Sequence, residues 1–124
     1  MIETPQRVVF LDKVHLFSGL DQGQLQGIAP QLVETEVSAG TVVFKRGDKP
    51  NGFYMIFKGR VKVTVPDPDT GERQIATLYA GDYFGEEGLF ENAPRSASIT
   101  ALEDCQMFFI SRQLFDSLIS QYEI

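Results

Sequence analysis

Short runs of β-branched and aromatic residues, bounded by glycines, fill the middle of this chain. The glycines at positions 40, 47, 59, 71 and 81 recur about every 7 to 12 residues, which is typical of an all-β barrel or sandwich. In one run, Val61, Val63 and Val65 alternate with polar residues, which predicts that the three valines share a buried face. The predicted strands are 41–44, 52–57, 60–65, 73–80, 95–101 and 105–110.

Both ends of the chain show helical periodicity instead. In residues 20–30, Asp21 is suited to cap a helix, and Leu25 and Ile28 then lie on one helical face. Residues 111–124 begin with a serine suited to capping, and an apolar stripe at helical spacing follows it. That stripe consists of Leu114, Phe115, Leu118, Ile119 and Tyr122.

These patterns predict one domain of the mainly-β class, an antiparallel β-barrel with flanking helices. We expect an N-terminal helical segment in residues 1–31, the barrel in residues 32–110 and a C-terminal helix in residues 111–124. Because amphipathic helices usually bury their apolar face, both helical stripes are expected to pack on the barrel. No repeat or linker divides the chain.

Composition and charge narrow the functional classes. With 43% hydrophobic and 23% charged residues, the 124-residue chain is typical of a soluble globular protein. Its 17 acidic against 11 basic residues argue against direct contact with nucleic acid, which needs a basic surface. No run approaches the roughly 20 apolar residues of a membrane span, and the N-terminus does not resemble a secretory signal. We therefore expect a cytoplasmic protein without membrane contact.

The chain has one cysteine, Cys105, and one histidine, His15. These counts exclude an internal disulfide, a zinc cage and the several histidines that a metalloenzyme on a cupin-like barrel needs. Cys105 lies between apolar neighbours and is expected to be buried, whereas His15 is expected to have a structural or surface role. The protein is therefore not predicted to be an enzyme.

The stretch FGEEGLFENAPRSAS, residues 84–98, carries the strongest chemical signal. Gly85 allows close approach of a ligand to the backbone, one helical turn would present free N–H groups, and Arg95 would offer a guanidinium fork to an anion. Alternatively, the glycines only turn the chain and Arg95 pairs with Glu86 or Glu91. These residues alone leave both interpretations open.

In context, the stretch resembles the phosphate-binding cassette of the cyclic-nucleotide-binding domain family. FGEEGL followed by PRSAS matches a Phe-Gly-Glu turn, a short helical segment, and an arginine followed by small residues. LFSGLDQGQLQGIA, AGTVVFKRGD, GFYMIFKGRVKV and AGDYFGE also occur in the family's order, so the resemblance covers nearly the whole chain. It implies a double-stranded β-helix, or jelly roll, of the type found in the cAMP receptor protein and protein kinase A regulatory subunits.

The resemblance also implies a ligand, cAMP or less favourably cGMP. Arg95 would pair with the cyclic phosphate, and Glu86 would accept a hydrogen bond from the ribose 2′-hydroxyl. Val63 and Leu78 are the candidates for apolar contact with the base. The cassette residues implied to bind ligand are Phe84, Gly85, Glu86, Glu87, Gly88, Leu89, Arg95, Ser96 and Ala97.

As a member of this family, the chain would be a regulatory module that signals through its flanking helices to an effector outside these residues. Tyr122 and the terminal helix could form a homodimer. The alternative is a barrel of the same fold that binds no nucleotide and acts as a protein-interaction module. The presence of both Arg95 and Glu86 favours ligand binding.

The sequence departs from the family pattern in two places. Glu87 stands where many members have an aliphatic residue, and we expect its side chain to point to solvent. Only 14 residues follow Ile110, so the helix that covers the base in the family is expected to be short or missing, and cAMP and cGMP to differ in affinity by less than about tenfold. We also expect Arg95 to lie at the barrel surface, so that its replacement leaves the fold intact.

Overall fold

Two antiparallel four-stranded sheets form the centre of the computed structural model, which describes residues 1–122. The first sheet has the order β1-β8-β3-β6 and the second the order β2-β7-β4-β5. Among residues 1–122, hydrogen bonds do not join the two sheets into a closed barrel, but the mainly-β antiparallel prediction is confirmed. The strands are β1 (Val33–Val37), β2 (Val42–Phe44), β3 (Gly52–Lys58), β4 (Val61–Asp67), β5 (Gly71–Leu78), β6 (Tyr83–Phe84), β7 (Ser98–Ala101) and β8 (Cys105–Ser111).

Several strand predictions need correction. The predicted strands 60–65 and 73–80 are observed as Val61–Asp67 and Gly71–Leu78. The sequence patterns did not reveal β1, in which three of the five residues of VETEV are polar, or β6, which has two residues. Strand β7 begins at Ser98, three residues after the predicted start at Arg95. The Arg95 backbone N–H donates to the Asp48 carbonyl and its carbonyl accepts from the Gly47 N–H. These bonds to the β2–β3 loop take the place of ladder bonds, so residues 95–97 are not a strand.

The expected alternation in β4 is interrupted. Its register with β5 shifts between Val63 and Thr64, the mark of a β-bulge. Val61 is fully buried and Val63 half-buried, but the next buried residue is Thr64, at 1% exposure, rather than Val65. The prediction that all three valines share a buried face is therefore wrong. The extra residue at the bulge is Ile75 of β5, while β4 keeps its register with β7.

The helices are α1 (Thr4–Asp12), α2 (Gln22–Ile28), α3 (Glu86–Glu91) and α4 (Arg112–Gln121). Two predicted caps are confirmed: the Asp21 carboxylate accepts from the Gln24 N–H at 2.9 Å, and Ser111 Oγ accepts from the Leu114 N–H at 3.1 Å. Helix α1 was not predicted individually within the helical segment 1–31. The last two residues of the predicted helix 111–124 lie outside the described residues.

Two apolar clusters fill the interior. One packs the helices against the first sheet and includes Phe53 and Phe108, together with Phe115 and Leu118 of α4. The other, around Ile56, Val61, Ile99 and Met107, includes residues from both sheets. The α4 stripe packs on the core as predicted, except that Ile119 is 40% exposed. Cys105 is buried and His15 is exposed, as expected.

Arg7 of α1 fastens the N-terminal helix to the rest of the domain. Its guanidinium donates to the carbonyls of Ile2, Ala29 and Leu32 at 2.8 to 3.0 Å, and it pairs with the Glu34 carboxylate at 3.3 Å. The Ile2 N–H also donates to that carboxylate and holds the pKa of Glu34 below its usual range. Within residues 1–122, no helix is long and apolar enough to cross a membrane.

Candidate functional site

A cavity of about 260 Å³ lies beside α3, where the chain between β6 and β7 meets the second sheet. Among its lining residues are ten that were predicted from the sequence: Val63, Leu78, Phe84, Gly85, Glu86, Glu87, Gly88, Arg95, Ser96 and Ala97. Leu89, the remaining predicted residue, does not line it, because the apolar face of α3 turns this side chain into the core, where it is 5% exposed.

Phe44, Tyr83 and Ile99 also line the cavity and were missed. Tyr83 directly precedes the cassette, so extending the candidate stretch by one residue would have included it. Phe44 and Ile99 are distant in sequence and become neighbours through the pairing of β2 with β7. Sequence spacing carried no signal for this pairing.

A sharp turn at Gly85 positions the cassette. Its φ of +92° lies in the left-handed region that favours glycine. A β-carbon at this position would lie 2.8 Å from Arg95 Nη1 and 3.3 Å from Phe44 Cε2. Gly85 therefore permits both the turn into α3 and the close approach of the Arg95 side chain.

Arg95 is buried rather than at the surface. It is 5% exposed, and it donates from Nη1 to the Gly85 carbonyl and from Nη2 to the Gly52 carbonyl, both at 2.7 Å. The expected surface position is therefore wrong, because hydrogen bonds to two backbone segments draw the guanidinium inward. Burial lowers the pKa of Arg95, while Tyr54 and other neighbours oppose this shift. An arginine keeps its charge at neutral pH nonetheless.

Glu86 supplies the second polar group of the cavity. Burial raises the pKa of its carboxyl group and the charge of Glu87 adds to the rise, while the Glu86 backbone N–H and Arg95 oppose it. Among the described residues, Arg95 forms no ion pair with Glu86 or Glu91. Within residues 1–122, Arg95 Nε and Glu86 Oε2 are both buried without a hydrogen-bond partner. Buried polar atoms are usually satisfied, so two such atoms in one cavity suggest a ligand.

An aromatic ring covers one face of the arginine. Arg95 Cζ lies 4.0 Å from the centroid of the Phe44 ring, well within the range of a cation–π contact. The Phe44 ring in turn lies 5.9 Å from the ring of Phe84 and 6.3 Å from that of Tyr54. The cationic group is thus held between backbone carbonyls and an aromatic cluster.

Comparison with known proteins identifies the family. The sequence model described as Cyclic nucleotide-binding domain matches residues 34–122. The chain belongs to the cyclic nucleotide-binding domain family. The resemblance found in the sequence is thereby confirmed, together with its jelly-roll fold.

Relatives of this cyclic nucleotide-binding domain include larger signalling proteins. It is 35% identical to a cGMP-dependent protein kinase of Toxoplasma gondii over 92% of this chain and 11% of that protein. It is 31% identical to a cAMP-dependent protein kinase regulatory subunit of Dictyostelium discoideum over 88% of this chain and 34% of that protein. The regulatory domain of Toxoplasma gondii PKA, solved with cAMP, matches with a TM-score of 0.86 and 26% identity over 94% of this chain and 45% of that chain.

The remaining walls of the cyclic nucleotide-binding domain's cavity differ in character. Val63 and Leu78 are half-buried and Ile99 is buried, so one wall is apolar. Ser96 is exposed at the rim. Glu87 is also exposed, as expected for a side chain that points to solvent. Within residues 1–122, no group of three or more histidine, cysteine or acidic side chains is arranged to hold a metal ion.

Proposed function

We propose that this domain binds a 3′,5′-cyclic nucleotide in the cavity beside α3, with cAMP as the ligand and cGMP as the alternative. The observation that carries this proposal is the pair of buried, unpartnered atoms, Arg95 Nε and Glu86 Oε2, at a single cavity. One is a hydrogen-bond donor on a cation and the other is an acceptor on a carboxylate. A ligand with one anionic group and one nearby hydroxyl would satisfy both.

A cyclic nucleotide has this chemistry. Its phosphodiester carries one negative charge, which Arg95 would meet, and the ribose has only the 2′-hydroxyl free, which would donate to Glu86. The backbone N–H groups of Gly85, Glu87 and Gly88 would add hydrogen bonds to the phosphate, since the first N–H groups of a helix have no partner within it. Ser96 and Ala97 would approach from the opposite side.

The choice of base is inferred from the apolar wall of the cavity and from the related proteins. The apolar wall that includes Val63 and Leu78 suits the face of either purine. The related PKA domain solved with cAMP supports cAMP, and the related cGMP-dependent kinase supports cGMP as the alternative. Competition between the two nucleotides decides the preference.

We propose that ligand binding is transmitted to the effector through helices α3 and α4. The Phe90 ring of α3 meets the Phe115 ring of α4 edge to face, with centroids 4.9 Å apart. A ligand that draws the cassette inward would therefore shift the surface on which α4 packs. The domain would act by binding rather than by catalysis, and its effector would lie outside residues 1–124. A homodimer through Tyr122 and α4 stays a prediction.

The alternative, a barrel of this fold that binds no nucleotide and serves as a protein-interaction module, has one observation in its favour. Both terminal nitrogens of Arg95 already donate to backbone carbonyls, so the arginine could be purely structural. Ligand titration separates the two functions.

Isothermal titration calorimetry with cAMP, cGMP and 5′-AMP tests the proposal. We expect cAMP to bind far more tightly than 5′-AMP, because 5′-AMP carries more phosphate charge and a free 3′-hydroxyl that one arginine and one carboxylate do not match. Equal affinity for cAMP and 5′-AMP would contradict the assignment of the cassette. An absence of binding by both cyclic nucleotides would favour the protein-interaction module.

The pH dependence of binding provides a test of Glu86. If its ionised carboxylate accepts the 2′-hydroxyl, cAMP affinity falls as the pH drops below the raised pKa of Glu86, by up to about tenfold per pH unit. Glu86→Gln keeps an acceptor oxygen but cannot titrate, so its affinity should be nearly independent of pH in this range. Glu91→Gln, at an exposed position on the same helix, is the matched control and should keep the parent profile. An unchanged profile in Glu86→Gln would remove Glu86 from this role.

A further inference from the structure

Two backbone carbonyls hold the edge of the Arg95 guanidinium, and an aromatic ring covers one of its faces. The carbonyls of Gly85 and Gly52 accept its terminal N–H groups in the plane of the group. The Phe44 ring lies across its face, with 4.0 Å between Cζ and the ring centroid. Among the described residues, no carboxylate forms an ion pair with this buried cation. The ring therefore adds a contact on the face of the cation to the two carbonyl contacts along its edge.

We infer that Phe44 is a positioning residue for ligand binding, whose ring holds the Arg95 guanidinium in the buried orientation that leaves Nε free for the anion. This inference rests on the proposed function, because it concerns how the cavity is prepared for a cyclic phosphate. The sequence patterns gave Phe44 no role.

An aromatic face suits this task better than a carboxylate would. A carboxylate would accept the in-plane N–H groups and compete with the ligand for them, and it would also cancel the charge that attracts the phosphate. A π face contacts the cation from above and leaves both the charge and the in-plane donors available. Phe44 thus stabilises the cation without occupying the atoms that the ligand needs.

The effect on cAMP affinity follows from a second orientation of the Arg95 side chain, turned out into water, in the ligand-free protein. Burial disfavours a charged guanidinium, so a weaker contact with Phe44 would raise the fraction of molecules in which Arg95 leaves its two carbonyls and turns out into water. The ligand would then bind only the fraction of molecules in which the guanidinium is in place, and the apparent Kd would rise by the inverse of that fraction. Burial also lowers the pKa of Arg95, consistent with such a cost.

The backbone around the contact is built to permit it. Phe44 pairs with Ile99 at the β2–β7 boundary, which fixes the position of the ring in the sheet. On the other side, a β-carbon at position 85 would approach both Phe44 Cε2, at 3.3 Å, and Arg95 Nη1, at 2.8 Å. The glycine therefore leaves room for both the ring and the guanidinium beside the turn.

Stepwise fluorination of the Phe44 ring tests the inference, since it withdraws electron density from the π face with little change in size. Mono-, di- and trifluorophenylalanine are incorporated at position 44, and cAMP affinity is measured by calorimetry. We expect a stepwise loss that totals between about threefold and thirtyfold, and a loss in the same direction for Phe44→Leu. The same series at Phe57, a half-buried strand residue that does not line the cavity, should leave affinity unchanged.

The outcomes are distinguishable. If the parent protein binds cAMP and the fluorinated Phe44 variants bind it with the same affinity, the inference is overturned and the proposed function stands. Equal losses at Phe44 and Phe57 would also overturn it, because the effect would not act through Arg95. Thermal unfolding of each variant identifies a merely structural ring, which would lower the midpoint at position 44 without changing affinity. Failure of the parent to bind any cyclic nucleotide would instead refute the proposed function.

Discussion

Replacing Arg95 by alanine should reduce cAMP affinity by a factor of at least about 30 and destabilise the fold as well. Loss of a buried charged partner costs about 2 to 5 kcal/mol of binding free energy. In addition, the carbonyls of Gly85 and Gly52 would lose their donors, and each buried acceptor left unpaired costs about 1 to 3 kcal/mol. Calorimetry measures the first effect and urea denaturation the second.

Two further variants sharpen this prediction. Arg95→Lys keeps the charge but cannot reach both carbonyls with a planar group, so it should recover only part of the stability. Arg112→Ala removes a nearby half-buried arginine that is outside the cavity lining, and it should bind cAMP within a few-fold of the parent. Normal cAMP binding by a destabilised Arg95→Ala would make Arg95 a structural residue.

Gly52→Ala should produce the largest loss of stability, about 3 kcal/mol or more. A β-carbon at position 52 would lie 2.3 Å from the Ile110 carbonyl oxygen and 2.4 Å from Phe109 Cζ. The oxygen belongs to the backbone of β8, which is paired with β3 on one side and β1 on the other, so it cannot move away without distorting the sheet. Because the Gly52 carbonyl also binds Arg95, cAMP affinity should fall too.

Gly27→Ala is the matched control for this substitution. Position 27 lies in α2, and a β-carbon there would meet Tyr122 Oη at an ordinary 3.8 Å. Alanine is favoured over glycine in a helix by up to about 1 kcal/mol, so this variant should be slightly more stable than the parent. Urea denaturation compares the two. Parental stability in Gly52→Ala would show that the sheet relaxes around the added methyl group.

Local signals in the sequence predicted much of the fold. The caps at Asp21 and Ser111 depend on residues three positions apart. The turn between the predicted strands 60–65 and 73–80 was also found from neighbouring residues, although β4 continues to Asp67 and β5 begins at Gly71, where φ is +89°. Features of this kind are determined by neighbours along the chain, so a periodic pattern is enough to find them. The cassette was found because its residues form one continuous stretch that resembles the family's pattern.

What the sequence did not reveal depends on contacts between distant segments. The burial of Arg95 arises from Gly52, which is 43 residues away. Phe44 reaches the cavity because β2 pairs with β7, and the pairing of β4 with β5 slips by one residue between Val63 and Thr64. Periodicity within one strand contains no information on its partner or register. The residue types of the site were therefore predictable, whereas the environment that sets their charge and orientation was not.

Helices α1 and α4 are attached to the domain by different kinds of contact, which bears on which of them can move. Arg7 ties α1 to the carbonyls of Ala29 and Leu32 through directional hydrogen bonds, which a sliding movement would break. Helix α4 meets the core through Phe115 and Leu118, and apolar surfaces can exchange one packing for another at lower cost. If the domain binds its proposed ligand, we therefore expect the mechanical work of binding to leave the domain through the C-terminal helix rather than through α1.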